Sequence, residues 1–290
     1  MIEIVKGRSL APDRILVYGR PGVGKSTFAA GATNPLFIDV ERGSGALEVD
    51  RVHPCNWKAV LEVIRGWPEG YSTLVIDTLD ALEKFIFADV CSEADVKTIE
   101  DIGYGKGYAR AIDRWVELLG ALDTLRIGRG VEIILIAHAT VRSMTNPGGS
   151  DYTKWELAVH AKSVGFITAW ADTIAFADID HTITNDEKIL VNGRRILRLA
   201  PGAWEAKCRY RGTPAVIDNS YDAYAAARSK AGAKSAKELL VEATSMAVAI
   251  PDVETQKKIV KFLDEHQHNA AKLASAIDRM KKMEKTDGMA

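Results

Sequence analysis

Gly19-Arg20-Pro21-Gly22-Val23-Gly24-Lys25-Ser26 is a complete match to the phosphate-binding pattern G-x-x-x-x-G-K-[ST], and its flanks decide how the chain is built. Before it, Arg14-Ile15-Leu16-Val17-Tyr18 reads as a buried strand; after it, Thr27-Phe28-Ala29-Ala30 reads as the first turn of a helix. Strand, glycine-rich loop and helix in that order let backbone N–H groups turn into one concavity, with the helix N-terminus adding partial positive charge. The candidate nucleotide-binding positions are Gly19, Pro21, Gly22, Val23, Gly24, Lys25, Ser26 and Thr27. Within them Lys25 reaches the β and γ phosphates and the Ser26 hydroxyl sits on Mg²⁺, so ATP and Mg²⁺ are the cofactors implied.

The bulk of the chain agrees with an ordinary enzyme core. Its 290 residues are enough for one large α/β domain and a small appendage, and 47% of them are hydrophobic. No apolar run is long enough to predict a membrane span or a signal peptide, which predicts a cytoplasmic protein with no membrane partner. Cys55, Cys91 and Cys208 are widely spaced and show no zinc pattern. A net charge of -1 excludes a blanket polyanion-binding surface, so any nucleic-acid contact has to come from local basic segments or from an assembled oligomer.

Along the chain, Met1–Lys6 alternates as a short strand, and only a short leader precedes the phosphate loop. Pro35-Leu36-Phe37-Ile38-Asp39-Val40-Glu41 reads as a second strand ending in carboxylates, and Ser72–Thr78 as a third, with a helix over Trp57–Gly66 between them. Helical spacing returns over Leu79–Val90. A glycine-rich interruption at Glu100–Tyr108 then leads into a long helix through about Leu125. Val131–His138 is another buried strand, Arg142–Tyr152 a patternless polar loop, Leu157–Trp170 a helix and Asp172–Ala177 a strand. Asn192-Gly193 between two apolar runs predicts a tight hairpin turn, and a further strand is expected near Trp204–Tyr210. The expected fold is α/β, a mostly parallel sheet flanked by helices with a C-terminal β-hairpin region. The expected domains are a nucleotide-binding core over 1–228 and a helical tail over 229–290.

Hydrolysis of a bound nucleotide needs a second acid to direct Mg²⁺ and a group to orient the attacking water. Asp77, ending an apolar strand, fits the first need, so Ser26 and Asp77 are the metal candidates. In AAA+ machines a catalytic glutamate directly follows this aspartate, whereas here the next residue is Thr78. The base has to come from elsewhere, and Glu41, at the carboxyl end of a neighbouring strand, is the candidate; a surface carboxylate paired with Arg42 is the alternative.

Phe37-Ile38-Asp39-Val40-Glu41 and Leu74-Val75-Ile76-Asp77-Thr78, taken with the phosphate loop, resemble the RecA-type ATPase core, in which a strand of the first kind ends in the water-activating glutamate. The resemblance covers about residues 10 to 215 and implies a RecA-like P-loop fold. It implies that His138, at its strand end, senses the γ-phosphate, against an ordinary hydrogen-bonded histidine. Lys207 and Arg209, two apart on one face of an expected strand, resemble the Lys-x-Arg finger that completes a neighbour's site; a charged edge strand has the same pattern. Catalytic candidates are thus Lys25, Glu41, His138, Lys207 and Arg209.

Tyr104-Gly105-Lys106-Gly107-Tyr108 and the compact core are most similar to bacteriophage minimal RecA cores, which act in single-strand annealing and recombination. That likeness implies a single-stranded DNA partner, a ring or short filament of identical subunits, a single-strand-binding or other recombination partner, and the host cytoplasm as location. In such cores two loops meet the strand. Their counterparts are Gly103–Arg110, with Lys106 and Arg110, and Arg142–Trp155, with Arg142 and Lys154; in both, cations alternate with aromatics. In the tail, Ile259, Phe262, Leu263, Leu273, Ile277 and Met280 form an apolar stripe expected to build a small bundle packing on the core; a flexible module for a partner or for DNA is the alternative. Two other functions use the same core: a small-molecule kinase, for which no arginine-rich lid segment is visible, and a nucleotide-dependent scaffold with little turnover.

Overall fold

The structure is a computed structural model that describes residues 11–183, 189–230, 236–248, 250, 252–267, 272–273, 275–277 and 279–280. The chain divides into two compact units, Met1–Ala231 and Gly232–Ala290. The strand expected at Met1–Lys6 lies outside the described residues.

In the first unit the order is β1 (Arg14–Gly19), α1 (Lys25–Ala30), β2 (Pro35–Asp39), a 3-10 turn (Ser44–Ala46), β3 (Asp50–Val52), α2 (Trp57–Arg65) and β4 (Thr73–Asp77). Then come α3 (Leu79–Glu93), a 3-10 turn (Ile99–Ile102), α4 (Lys106–Arg129), β5 (Glu132–Met144), β6 (Tyr152–Leu157) and α5 (Ala161–Trp170). The unit ends with β7 (Thr173–Ile183), β8 (Ile189–Arg198), β9 (Lys207–Cys208), β10 (Val216–Asp218) and α6 (Tyr221–Lys230). The sheet runs β10-β8-β7-β1-β5-β4-β2-β3, with β6 beside β5 and β9 beside β7. Its centre, from β7 to β3, is parallel, while β8, β10, β6 and β9 pair antiparallel.

Period-two alternation sorts each central strand onto two faces. Leu16, Tyr18, Ile133 and Leu135 enter a core closed by α2, α3, α4 and α5, around Trp57, Leu82 and Trp115. Ile15, Val17, Ile134 and Ile136 enter a second core with Phe28 of α1 and Tyr224 of α6. A sheet covered on both faces needs near-continuous apolar strands, which is what β1, β4 and β5 supply. The α/β fold with a mostly parallel sheet flanked by helices is therefore as expected, with β5 standing between the phosphate-loop strand and the strand that ends in Asp77.

Several local expectations are corrected. The glycine-rich stretch before the long helix is not all loop: Thr98 and Asp101 form a capping box on the 3-10 turn, and α4 already begins at Lys106. The polar stretch after His138 is a β-hairpin, since β5 runs on to Met144 and pairs with β6 in the register Arg142↔Lys154. Both arms are partly exposed on both faces, so no buried alternation marked them. Leu157 accordingly ends β6, and α5 starts only at Ala161.

Asn192-Gly193 is not a turn either. It lies inside β8, where the pairing with β7 slips between Ile179 and His181 and Gly193 takes φ +75°, so the dipeptide forms a bulge in one long strand. The strand expected near Trp204–Tyr210 shrinks to Lys207–Cys208. Trp204 instead stacks on Phe176, and its indole N–H donates to Ala200 O.

In the second unit α7 (Ala236–Val248) and α8 (Val253–Glu265) share a core of Leu239, Ala243, Ala247 and Leu263 with Leu273, Ile277 and Met280. Of the tail's expected apolar stripe, Leu263, Leu273, Ile277 and Met280 are buried within that unit, and Ile259 and Phe262 pack against them partly exposed. Asp252 caps α8 by accepting the Thr255 N–H at 2.8 Å, which holds its carboxyl below the usual range. Among the described residues no helix is long and apolar enough to cross a membrane.

Candidate functional site

The carboxyl ends of β1, β2 and β4 meet the middle of β5 at a cleft of about 420 Å³, lined by Gly24, Lys25, Ser26, Glu41, Asp77 and His138 among others. In parallel sheets this edge is where ligands bind, because the loops leaving the strands open there. Gly19 is the last residue of β1 and pairs with His138 on one side and Ala177 on the other. Gly22 and Gly24 take φ +77° and +98°, which turns the loop over the cleft.

Two groups of the motif are set by hydrogen bonds. Lys25 is buried, and its ammonium donates to Gly19 O and Arg20 O at 3.1 Å each. Burial lowers its pKa, against the pull of Asp77, Asp80 and Glu41. Ser26 Oγ donates to Asp77 Oδ2 at 2.6 Å, so the two expected metal ligands do converge. Asp77 is 4% exposed; burial first, then Asp39 and Glu41, push its carboxyl up. A buried carboxylate among other acids, next to a hydroxyl, is an all-oxygen donor set that suits a hard divalent cation such as Mg²⁺.

Glu41 lies two residues beyond the end of β2 and is exposed. Its Oε2 accepts from Thr78 Oγ1 at 3.2 Å, and its backbone N–H donates to Asp77 O. Thr78, the residue after Asp77, therefore holds Glu41 by a hydrogen bond rather than standing in for it. Behind Glu41, buried Asp39 accepts from Gly43 N at 3.1 Å, Ser44 N at 3.2 Å and Ser44 Oγ at 2.6 Å, tying down the loop after it.

His138 sits 4.0 Å from Glu41 and is gripped by Asp80, whose two oxygens lie 2.9 Å from its backbone N and its Nδ1. The bond to Asp80 raises the His138 pKa above its ordinary 6.5, ahead of the opposing effect of burial. Burial pushes Asp80 up, but the bonds from His138 outweigh it and hold that carboxyl below the usual range. Asp80 was missed in the sequence because nothing in its spacing shows that the first turn of α3 faces β5. Arg195 of β8 also lines the cleft; in the sequence it opens a run beside the expected Asn192-Gly193 turn, where nothing marks it as facing the phosphate loop.

The other expected residues lie away from this cleft. Lys207 donates to Thr168 O and Ala169 O in the last turn of α5, and burial lowers its pKa. Arg209 bonds Ala169 O and Asp172, both at 3.0 Å. Arg209, Asp172 and Arg14 line a second cleft of about 510 Å³ at the opposite end of β1. Both cations thus have partners within their own chain.

Lys106 and Arg110 are exposed on the first turns of α4, beside fully exposed Tyr104. Arg142 pairs with Glu156 at 3.4 Å and donates to Val159 O, while Lys154 pairs with Glu205. The two segments meet: His160, next to Val159, stacks on Tyr108 with ring centroids 3.9 Å apart.

One relative is the SPbeta prophage-derived uncharacterized protein YorG of Bacillus subtilis (strain 168), 29% identical over 143 residues. That match takes in 47% of this chain and 43% of the relative, so less than half of either is compared. A family model described as an AAA domain matches residues 11–210, the span that holds the phosphate loop, Glu41, Asp77 and His138. By that match, which takes in more than half of its length, the chain belongs to this AAA domain family, a P-loop ATPase type.

Proposed function

We propose that the chain is a Mg²⁺-dependent ATPase of the RecA type that handles single-stranded DNA in annealing or recombination. The observation that carries the reading is the Thr78–Glu41 hydrogen bond of 3.2 Å beside the Ser26–Asp77 pair. Where AAA+ machines carry their catalytic glutamate this chain has a threonine, and the carboxylate arrives from the neighbouring strand β2, as in RecA-type cores.

In this reading Lys25 and the loop amides hold the phosphates, Ser26 and Asp77 hold Mg²⁺, and Glu41 takes the proton of the attacking water. When bound, the metal neutralises charge on the transferring phosphoryl group. Thr78 fixes one oxygen of Glu41, which lines the cleft. His138, its pKa raised by the bond to Asp80, meets the γ-phosphate. Because β5 continues from His138 into the hairpin at Met144, a change at the phosphate reaches that hairpin through one strand.

Single-stranded DNA contact is assigned to Lys106, Arg110, Arg142 and Lys154. The exposed Tyr104, Lys106 and Arg110, joined to the hairpin base through the Tyr108–His160 stack, support it. Arg142 and Lys154 have to exchange a carboxylate for a phosphate, which makes their share salt-sensitive. Lys207 and Arg209 act across an interface between copies in a ring or short filament, leaving the carbonyls of α5 to do so. The prophage origin of the YorG relative supports a phage setting, with the host cytoplasm as location and a single-strand-binding or recombination protein as partner.

ATP hydrolysis by wild type and Glu41→Gln, with and without single-stranded DNA, followed by DNA binding at rising salt, tests this. Wild-type turnover that DNA stimulates and Glu41→Gln abolishes is expected. Absence of turnover under every condition sinks the ATPase; turnover indifferent to DNA, without salt-sensitive binding, removes the DNA role alone.

A further inference from the structure

Arg195 projects from β8 into the phosphate cleft on the wall opposite Asp77 and Glu41. A methyl group placed on Gly24 would lie 3.4 Å from its Cδ and 3.5 Å from its Nη1, so the guanidinium rides over the crest of the phosphate loop. The other cations nearby are engaged: Lys25 is bonded to loop carbonyls, while Arg20 and Arg198 share Asp178. Arg195 is exposed, and its side chain forms no hydrogen bond or ion pair with any described residue.

Its aim is built into the strand. The slip of β8 against β7 between Ile179 and His181 falls just before the Ile179↔Arg195 pair, with Gly193 at φ +75°. Bulges turn the following side chains out of the regular alternation, which is why they occur beside active sites. Asn219, on the turn after β10, steadies the same spot. Its amide donates to Val23 O at 3.0 Å and stands 3.3 Å from that methyl position on Gly24, while its Oδ1 is buried with no hydrogen-bond partner. An arginine and an amide oxygen, both without a partner among the described residues, thus flank the loop on the side away from the acids.

The acids Asp77, Glu41, Asp39 and Asp80 crowd the Mg²⁺ side. A polyphosphate brings several further negative charges, and the oxygens facing away from the metal need a donor. The amides of such loops cradle the α and β phosphates, whereas the lysine reaches toward γ. We propose that Arg195 binds the α and β phosphates of the nucleotide held by its own chain, serving nucleoside di- and triphosphates alike. This rests on the nucleotide-binding reading of the cleft.

The test is a titration of wild type, Arg195→Ala, Arg195→Gln and Lys25→Ala with N-methylanthraniloyl ADP and ATP in Mg²⁺, read by fluorescence, with a melt of each free protein. Loss of a charge-assisted bond predicts that Arg195→Ala and Arg195→Gln bind both nucleotides about tenfold or more weakly, at unchanged melting temperature. Unchanged affinity for both nucleotides in these variants, with wild type binding and Lys25→Ala failing, overturns the role of Arg195 alone. A loss confined to the triphosphate overturns the assignment to α and β. A wild type that binds neither nucleotide overturns the cleft as a nucleotide site, and the role of Arg195 with it.

Discussion

His138 Nδ1 lies 2.9 Å from Asp80 Oδ2 while the His138 backbone N–H donates to Asp80 Oδ1, also at 2.9 Å, so one carboxylate fixes both the backbone of β5 and the imidazole it carries. The histidine's folded pKa is raised, so the contribution of the pair is complete below the unfolded value near 6.5 and is lost as pH rises through the folded value. The aspartate's folded pKa is lowered, so its part is present above 3.8 and is lost as pH falls through the folded value. Asp80→Asn removes the charge partner but leaves burial and Lys25, which both lower the His138 pKa. An imidazole titration by NMR is expected to show His138 above 6.5 in wild type and shifted down in Asp80→Asn, with the alkaline limb of hydrolysis moving down with it. An unchanged titration would mean that Asp80 does not set the charge of His138.

Lys25 and Asp77 separate nucleotide binding from metal dependence. A ligand that binds only the folded state stabilises it by about 2.7 kcal/mol at a hundredfold excess over its dissociation constant. MgATP is therefore expected to raise the melting temperature of wild type and not of Lys25→Ala, read by differential scanning calorimetry. Asp77→Asn is expected to retain a shift with ATP but to lose the extra shift that Mg²⁺ adds. Equal shifts in Lys25→Ala and wild type would detach the phosphate loop from the effect.

The phosphate loop, Glu41 and Asp77 were legible in the sequence because each stands at or just past the end of a short, mostly buried strand, where an acid or a glycine stands out against the apolar run. What escaped was set by pairing. The second half of β5, Ala139–Met144, is half exposed and polar, so it reads as loop until Lys154 is found opposite Arg142. Asn192-Gly193 has turn chemistry, but the hydrogen bonding of β7 with β8 uses the positive φ for a bulge instead. Asp80 and Arg195 reach the site across 58 residues to His138 and 171 residues to Gly24 in sequence number, separations that no local pattern encodes.

Gly19 also has a reason that its motif does not state. A Cβ there would stand 2.3 Å from Ala177 O, a backbone atom of the adjacent strand β7. The clash cannot be relieved by rotating a side chain, so β1 or β7 has to shift. Gly19→Ala is expected to lower stability by about 1–3 kcal/mol, the usual cost of overpacking, in urea denaturation without nucleotide. Gly22→Ala, where the added carbon meets nothing within 4 Å, isolates the cost of positive φ at +77° and is expected to be the milder change. The reverse order would show that packing against β7 does not constrain the loop.

Asp39 is the remaining lever on Glu41. It is 1% exposed and accepts three hydrogen bonds, from the backbone N–H groups of Gly43 and Ser44 and from the Ser44 hydroxyl, so the loop that leaves Glu41 is anchored two residues before it and two after. Asp39→Ala leaves those donors without their acceptor, and each buried group so orphaned costs about 1–3 kcal/mol. Asp39→Asn keeps the shape and one carbonyl acceptor and is expected to lose less. If the anchor positions Glu41, hydrolysis falls in the order wild type, Asn, Ala, and the fall exceeds any change in ADP affinity measured on the same proteins. A loss of stability with turnover intact would mean that Thr78, which donates to Glu41 at 3.2 Å, is sufficient to hold the carboxylate in place.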